Sequence, residues 1–132
     1  VEADMKAVME KAQKENKHIL VQVGGNWCGW CIKFHEYVKS DSALLKLMND
    51  NYVVYHLNYS QENKNEEYIK KLGYVQRFGF PVFVVLDQKG NKLHIQDSGL
   101  LEEGSTYDRK KVLSFFKGWT KAAVDPASYK NF

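Results

Sequence analysis

The chain has 132 residues, of which 44% are hydrophobic, 27% charged and 14% aromatic, and its formal net charge is +3 at pH 7. This length favours one domain, 1–132, and the composition is typical of a globular core rather than a disordered chain. The mild charge argues against a nucleic-acid partner, no apolar run is long enough to predict a membrane span, and two cysteines are too few for a disulfide-stapled scaffold.

Helical and strand patterns alternate through the first half of the chain. A helix is predicted over residues 3–17, and the apolar run Ile19–Val23 predicts a buried central strand that ends at two glycines. The next helix is expected over residues 29–39, and Asp41 or Ser42 is expected to cap a third. The side chains predicted to face inward from these helices are Met5, Val8, Met9, Ala12, Ile32, Phe34, His35, Val38, Leu44, Leu45, Leu47 and Met48.

The second half of the chain adds three strand patterns and two helical ones. In chain order we predict a strand over 52–59, a helix over Glu66–Leu72 that stops at Gly73, a strand over Val82–Leu86, a turn at 88–91, an antiparallel strand over 92–96, a loop over Gly99–Tyr107, a helix over Asp108–Ala123 and a tail without period over 124–132. This order predicts an α/β fold in which a central mixed β-sheet is flanked by helices.

Two cysteines three residues apart lie where the predicted strand gives way to the helix, in Trp27-Cys28-Gly29-Trp30-Cys31. This spacing lets both sulfurs approach within disulfide-bonding range across the first helical turn. The free N–H groups and the positive dipole end of the helix favour a thiolate at Cys28, which would act as a nucleophile. Cys31, one turn further in, is expected to be shielded and to resolve a mixed disulfide. The motif therefore predicts a redox-active pair.

A metal site is a weaker alternative for the same residues. His35 follows Cys31 by four residues, so two thiolates and an imidazole could face one site, and these groups bind zinc or copper. A fourth ligand would have to come from a distant histidine, His18, His56 or His94. Because that ligand has no local signal, we expect no metal and expect His35 to be a polar or half-buried residue of its helix.

Three segments together resemble the thioredoxin superfamily. They are the strand Ile19–Val23, the Trp27–Cys31 motif, and Gly79-Phe80-Pro81 before the strand Val82–Leu86. The resemblance covers roughly residues 19–119 and is greatest to bacterial thioredoxin-like proteins and periplasmic interchange domains. It implies a thioredoxin-like fold, a cis Pro81 packed against the disulfide, and pairing of the Phe80 backbone with an extended substrate. The resemblance also implies that Trp27, Gly29 and Trp30 bind substrate together with Phe80 and Pro81.

The chain departs from the family pattern at three positions. Trp30 stands between the cysteines where thioredoxins have proline, so a strongly reducing potential is not implied. Gln22 occupies the place of the family's buried acid, and His56 the place of the lysine that partners it. Gln22 cannot take a proton from the Cys31 thiol. We therefore hypothesise that His56, or water held by Gln22 and His56, relays the proton, with a merely packed histidine as the alternative.

The expected function is thiol-disulfide exchange through Cys28 and Cys31. The expected partners are protein thiols or disulfides and a redox partner protein, with no organic cofactor and with a monomeric chain. Two alternatives stay open, a thioredoxin-fold adaptor or chaperone-like binding module and a metal-binding thiol protein. The chain opens at Val1 with no signal peptide, so we expect a leader to have been removed and favour the bacterial periplasm or cell envelope over the cytoplasm.

Overall fold

Six α-helices and six β-strands follow one another in the computed structural model, which describes residues 1–131. In chain order they are α1 (Glu2–Glu15), β1 (His18–Gly24), α2 (Gly29–Lys39), α3 (Ser42–Asn51), β2 (Tyr52–Asn58), α4 (Glu66–Leu72), β3 (Val82–Leu86), β4 (Lys92–Asp97), β5 (Glu102–Glu103), β6 (Thr106–Tyr107), α5 (Arg109–Gly118) and α6 (Lys121–Val124). Short 3-10 helices lie at Val75–Phe78, Ser98–Leu101 and Pro126–Tyr129. Residue 132, the last of the predicted domain and tail, lies outside the described residues.

Four strands form the main sheet in the order β2-β1-β3-β4. β1 pairs parallel to β2 and antiparallel to β3, and β3 pairs antiparallel to β4, so the predicted mixed sheet is confirmed. β1 and β3 are central and covered on both faces, which explains their nearly continuous apolar runs. The parallel pair β1–β2 is joined by a crossover that contains α2 and α3, whereas the antiparallel pair β3–β4 is joined by a tight turn.

The side chains of β1 alternate between two apolar layers on opposite faces of the sheet. Ile19, Val21 and Val23 belong to the layer beneath α1 and α4, and Leu20 belongs to the layer beneath α2, α3 and α5. Gln22 follows Leu20 on the second face and is half-buried beside α2. The alternation of the strand therefore places Gln22 near the first turn of α2.

Local end signals are confirmed at α3 and α4. Asp41 caps α3, and its carboxylate accepts hydrogen bonds from the backbone N–H groups of Ala43 at 3.1 Å and Leu44 at 3.2 Å. Gly73 ends α4 with φ of +93°, a left-handed conformation that glycine adopts without strain. These signals depend on neighbouring residues alone, which is why the sequence reveals them.

The prediction of inward-facing side chains is wrong at two positions of α2. Phe34 and Val38 are buried, but Ile32 is 51% exposed and His35 is also exposed. Phe34 and Val38 lie four residues apart and therefore share the stripe that packs on the sheet. Ile32 and His35 lie on the flank of that stripe, where the helix faces a cleft instead of the core.

Residues 99–107, predicted as a loop, contain regular structure. A 3-10 turn is followed by a hairpin in which Glu102 pairs with Tyr107 and Glu103 pairs with Thr106. Gly104 has φ of +61° at the tip of this hairpin. Strands of two residues are too short to show the alternation that predicts a strand, so the sequence pattern could not reveal them.

The helix predicted over 108–123 is interrupted. α5 ends at Gly118, and Thr120 caps α6 by accepting a hydrogen bond from the Ala123 N–H at 3.0 Å. The buried His18 donates from Nδ1 to the Trp119 carbonyl at 2.8 Å. These two bonds satisfy backbone groups that a continuous helix would have paired internally. Within residues 1–131, no helix combines the length and the apolar character needed to cross a membrane.

Candidate active site

The two cysteines lie at the N-terminal end of α2, close to the end of β1. They form a disulfide, and their Cα atoms are 5.2 Å apart. Cys28 is the N-cap of α2, and its Sγ accepts a hydrogen bond from the Cys31 N–H at 3.2 Å. Both residues are almost fully buried, Cys28 at 4% and Cys31 at 6% exposure. Because a backbone donor already points at the Cys28 sulfur, the helix end is arranged to stabilise a thiolate there once the disulfide is reduced.

Gly24 and Gly25 make room for the residues of the motif. A Cβ atom on Gly24 would overlap the Cys31 sulfur. A Cβ atom on Gly25 would lie 2.7 Å from Nε1 of Trp27. The sequence pattern marks these glycines only as the end of a strand, whereas the structure shows that each permits a close approach by the motif. Their role has no sequence signal other than their place directly before the motif.

The exposed Trp27 lies against the half-buried Tyr59 and Phe80, and we call these three residues the aromatic ledge. Its indole N–H donates to the Tyr59 carbonyl at 2.6 Å, and its ring meets Phe80 edge-on with centroids 5.2 Å apart. Tyr59 stacks on Phe80 at 4.8 Å. The side of Trp27 away from these contacts is open, since the residue is 55% exposed, and it borders a cleft of about 570 Å³ beside residues 60–64.

Pro81 lies between the aromatic ledge and β3. It is buried, and the Phe80–Pro81 peptide bond is cis, the conformation that the resemblance implies. Phe80, directly before it, is half-buried and packs against both of the other ledge residues. The chain therefore brings the predicted substrate-binding residues Trp27 and Phe80 into contact, with Pro81 directly after Phe80.

Trp30 lies in a different environment from Trp27. Its ring is half-buried and meets the Tyr107 ring edge-on with centroids 5.3 Å apart. The Tyr107 hydroxyl donates to the Trp30 carbonyl at 3.0 Å, and the Lys33 ammonium lies 4.4 Å from the Trp30 ring centroid. Gly29, between the cysteines, is exposed, and a Cβ atom there would meet no atom within 4 Å. Trp30 is thus held by its neighbours, and Gly29 faces open space.

A cleft of about 510 Å³ opens beside Cys31, and we call it the histidine cleft. Its lining includes Gln22, Cys31, His35 and His56. Gln22 and His56 are register partners in the parallel pair β1–β2, so the sheet itself places them side by side. The structure therefore brings both residues of the hypothesised relay to the same cleft as the Cys31 side chain.

His56 has surroundings that disfavour its charged form. The residue is exposed at the mouth of the cleft, but its inner side is covered by protein. Partial burial lowers the pKa of the His56 imidazole below its ordinary value of 6.5, and the positive charge on nearby His35 lowers it further. His56 is therefore mainly neutral at pH 7, the state in which an imidazole accepts a proton.

The arrangement of His35 differs from that of a metal ligand. His35 lines the histidine cleft with Cys31, but Cys28 is not part of that lining. Over residues 1–131, no group of three or more His, Cys, Asp or Glu side chains is placed to hold a metal ion. The metal-carriage alternative therefore gains no support from the described residues.

Two further residues of the site carry no local signal in the sequence. Tyr59 supplies the carbonyl that binds the Trp27 indole, from a position 32 residues along the chain. Tyr107 binds the Trp30 carbonyl across 77 residues. In the sequence, Tyr59 is the end of a predicted strand and Tyr107 the end of a predicted loop. A hydrogen bond to a distant carbonyl depends on tertiary placement, so neither contact could be predicted.

Comparison with known proteins gives one family match. A family model described as a thioredoxin-like domain matches residues 5–104. That range contains the cysteine motif, the aromatic ledge and the histidine cleft, and it ends within the β5–β6 hairpin. No curated protein matches the sequence significantly.

Solved structures show the same fold at low sequence identity. A disulphide isomerase from Xylella fastidiosa Temecula1 is 19% identical, with a TM-score of 0.75 and 87% of each chain covered. The oxidised C-terminal domain of DsbD from Neisseria meningitidis is 16% identical, with a TM-score of 0.61, and the match covers 89% of this chain and 95% of that one. A DsbH oxidoreductase is 19% identical, with a TM-score of 0.57 and 83% and 78% covered. At these identities the comparison establishes the fold.

Proposed function

The chain belongs to the thioredoxin-like domain family, and from this premise we propose that it is a thiol-disulfide oxidoreductase that acts through Cys28 and Cys31. The observation that carries the proposal is the disulfide at the N-terminus of α2, where a backbone N–H points at the Cys28 sulfur. A purely structural disulfide has no need of that donor or of the exposed aromatic ledge beside it.

The proposed reaction is two successive thiol-disulfide exchanges. The Cys28 thiolate attacks one sulfur of a substrate disulfide, a Cys28–substrate disulfide forms, and the other substrate sulfur leaves as a thiolate. The Cys31 thiol then loses its proton and attacks the Cys28 sulfur, which releases the second substrate thiolate. The substrate gains two electrons, and the chain ends with the Cys28–Cys31 disulfide that the structure contains. The reverse sequence oxidises a dithiol substrate.

The aromatic ledge is the proposed contact surface for a protein substrate. Trp27 presents an open indole face, and the backbone of Phe80 lies where an extended segment could add to the end of β3. The cis Pro81 has no N–H of its own, so the main-chain donor available there belongs to Phe80. Gly29 and Trp30, which lie between the two cysteines, complete the predicted surface.

His56 is the proposed acceptor of the Cys31 proton. Both side chains line the histidine cleft, and Gln22 lies beside His56 in the neighbouring strand. Gln22 offers hydrogen bonds but no titrating group, so its proposed role is to hold water between the thiol and the imidazole. The lowered pKa of His56 supports this role because it keeps the imidazole neutral near pH 7.

The remaining features of the proposal follow from the same site. The reaction needs one chain, its two thiols and a redox partner protein, so we propose a monomeric protein with no organic cofactor or metal. We also propose that residues 1–132 form one domain, because α5 and α2 pack in the same layer against the main sheet. The proposed location is the bacterial periplasm or cell envelope rather than the cytoplasm, on the strength of the resemblance to periplasmic interchange domains and the match to the C-terminal domain of DsbD.

Replacement of each cysteine in turn tests the proposal. The reduced parent should exchange with a peptide that contains one disulfide, and Cys28→Ser should lower that rate by about three orders of magnitude or more. The matched variant Cys31→Ser should accumulate a covalent Cys28–peptide adduct, which intact-mass measurement detects. Peptide binding that survives in Cys28→Ser, together with a parent that exchanges no faster than this variant, would instead identify an adaptor.

A further inference from the structure

The β5–β6 hairpin is tied to the first turn of α2 by several contacts that the proposed reaction does not use. The Tyr107 hydroxyl donates to the Trp30 carbonyl at 3.0 Å. The Lys33 ammonium donates to the Ser105 carbonyl at 2.9 Å and lies 4.4 Å from the Trp30 ring centroid. We call Lys33, Ser105 and Tyr107 the hairpin clamp, since together they hold Trp30 from two directions.

Tyr107 is the fixed centre of the clamp. It is 3% exposed, and its ring meets both the Trp30 ring at 5.3 Å and the Phe34 ring at 5.2 Å. Burial raises the pKa of the Tyr107 hydroxyl, and the charge of nearby Glu102 acts in the same direction. The hydroxyl therefore keeps its proton at neutral pH and donates to the Trp30 carbonyl.

Trp30 is one of the two residues that join Cys28 to Cys31, so its position sets the shape of the link between the sulfurs. When the disulfide is reduced, the two sulfurs are no longer bonded and move apart to a van der Waals distance. The Gly29-Trp30 segment between them has to adjust to this change. Gly29 can follow the change because nothing lies within 4 Å of a Cβ atom there. Trp30 cannot follow it without moving against the Tyr107 hydroxyl, the Tyr107 ring and the Lys33 ammonium.

We propose that Tyr107 is a positioning residue that acts through Trp30 to favour the disulfide form of Cys28–Cys31 over the dithiol form. The clamp contacts are formed with the disulfide present, and any shift of Trp30 on reduction would have to weaken them. The hairpin therefore adjusts the reduction potential of the pair from outside the motif. This inference rests on the proposed redox function of the two cysteines.

The test compares two buried tyrosines. Tyr52 is also 3% exposed, and its hydroxyl donates to a helix carbonyl, that of Phe116, at 2.7 Å. Unlike Tyr107, Tyr52 makes no hydrogen bond to a residue of the cysteine motif. The oxidised fraction is measured against mixtures of reduced and oxidised glutathione for the parent, Tyr107→Phe and Tyr52→Phe. Tyr107→Phe should lower the equilibrium constant for disulfide formation by about two- to tenfold, the range expected for one hydrogen bond. Tyr52→Phe should lower stability and leave that constant unchanged.

Lys33→Met provides a second measurement that does not disturb the buried core. It removes the bond to the Ser105 carbonyl and the charge above the Trp30 ring, and it should shift the glutathione equilibrium in the same direction by a smaller factor. Unchanged equilibria in both Tyr107→Phe and Lys33→Met, or an equal shift in Tyr52→Phe, would overturn the proposal. A parent that does not exchange with glutathione at all would instead overturn the proposed function.

Discussion

Trp27 and Trp30 lie on either side of Cys28, three residues apart, yet the fold treats them differently. Trp27 is 55% exposed and is fixed by one hydrogen bond, from its indole to the Tyr59 carbonyl. Trp30 is half-buried between Tyr107 and the Lys33 ammonium. The first tryptophan offers a free face to another molecule, and the second connects the cysteine link to the rest of the protein. The disulfide therefore has an open side, at Trp27, and a clamped side, at Trp30.

The difference has a physical origin in the elements that supply the neighbours. Trp27 precedes α2. Its contacts come from two loop residues at the ends of strands, Tyr59 directly after β2 and Phe80 shortly before β3. Trp30 lies within α2, so its ring is carried toward the layer that contains α5 and the β5–β6 hairpin. A redox site needs both properties, because it has to admit a substrate and also control the relative stability of disulfide and dithiol.

The largest effect on this arrangement is expected beneath the disulfide, at Gly24. Gly24→Ala should lower the free energy of unfolding of the oxidised protein by about 1–3 kcal/mol, because the new methyl group overlaps the Cys31 sulfur. Denaturant unfolding measures the loss. Gly29→Ala is the matched control. It should not lower the free energy of unfolding, because the added Cβ meets no atom and alanine favours the helix.

The sulfur itself can be removed to check this explanation. In a Cys31→Ala background the Gly24→Ala change should cost much less, because the next atom of Cys31, its Cβ, lies at an ordinary contact distance of 3.7 Å. If Gly24→Ala lowers the free energy of unfolding equally with and without the Cys31 sulfur, then the glycine is needed for its backbone conformation and the contact with the sulfur is not the cause.

The two tryptophans give the most direct test of the open and clamped sides. Trp27→Ala should slow exchange with a disulfide-bonded protein by about ten- to hundredfold, because an exposed aromatic anchor is lost. The rate with glutathione, which is too small to span the aromatic ledge, should change far less. Trp30→Ala should act mainly on the glutathione equilibrium and on stability. The comparison fails if Trp27→Ala shifts the equilibrium as strongly as Trp30→Ala does.

A smaller effect than that of the tryptophan replacements is expected at His56, and it should depend on pH. In the proposed relay the neutral imidazole accepts the Cys31 proton. Because the pKa of His56 is lowered below 6.5, its contribution should be present at pH 7 and should be lost as the pH falls below that pKa. At pH 7 the parent should resolve the mixed disulfide about three- to tenfold faster than His56→Gln, a modest factor because water can also reach the exposed cleft.

The His56 measurement follows release of a peptide from its Cys28 adduct between pH 4.5 and pH 8. The ratio of parent to variant rates should fall toward one at acid pH, because protonated His56 accepts nothing. His35→Gln is a useful control, since removal of its charge should move the transition to higher pH. Superimposable profiles for the parent and His56→Gln would remove His56 from the mechanism.

Much of the site was accessible from the sequence because its signals are local. The cysteine spacing, the strand before it and the cap at Asp41 each depend on residues within a few positions of one another, and all three are confirmed. The placement of Gln22 beside His56 was inferred from a family resemblance, and the strand register confirms that the two are partners. The assignment of His35 and Ile32 to the core was wrong because helical spacing alone does not locate the edge of the buried stripe.

The residues alone predict the chemistry of the site, namely two cysteines at a helix N-terminus, a proline before a buried strand, and an α/β order of elements. Tertiary packing supports that chemistry through the Tyr59 carbonyl that binds the Trp27 indole, the hairpin clamp at Trp30 and the close approach of the Cys31 sulfur to Gly24. The two kinds of feature differ in how far apart along the chain the interacting residues lie. Capping, helix dipoles and periodicity act over about one helical turn, whereas these contacts join residues that only the order and register of the strands bring together.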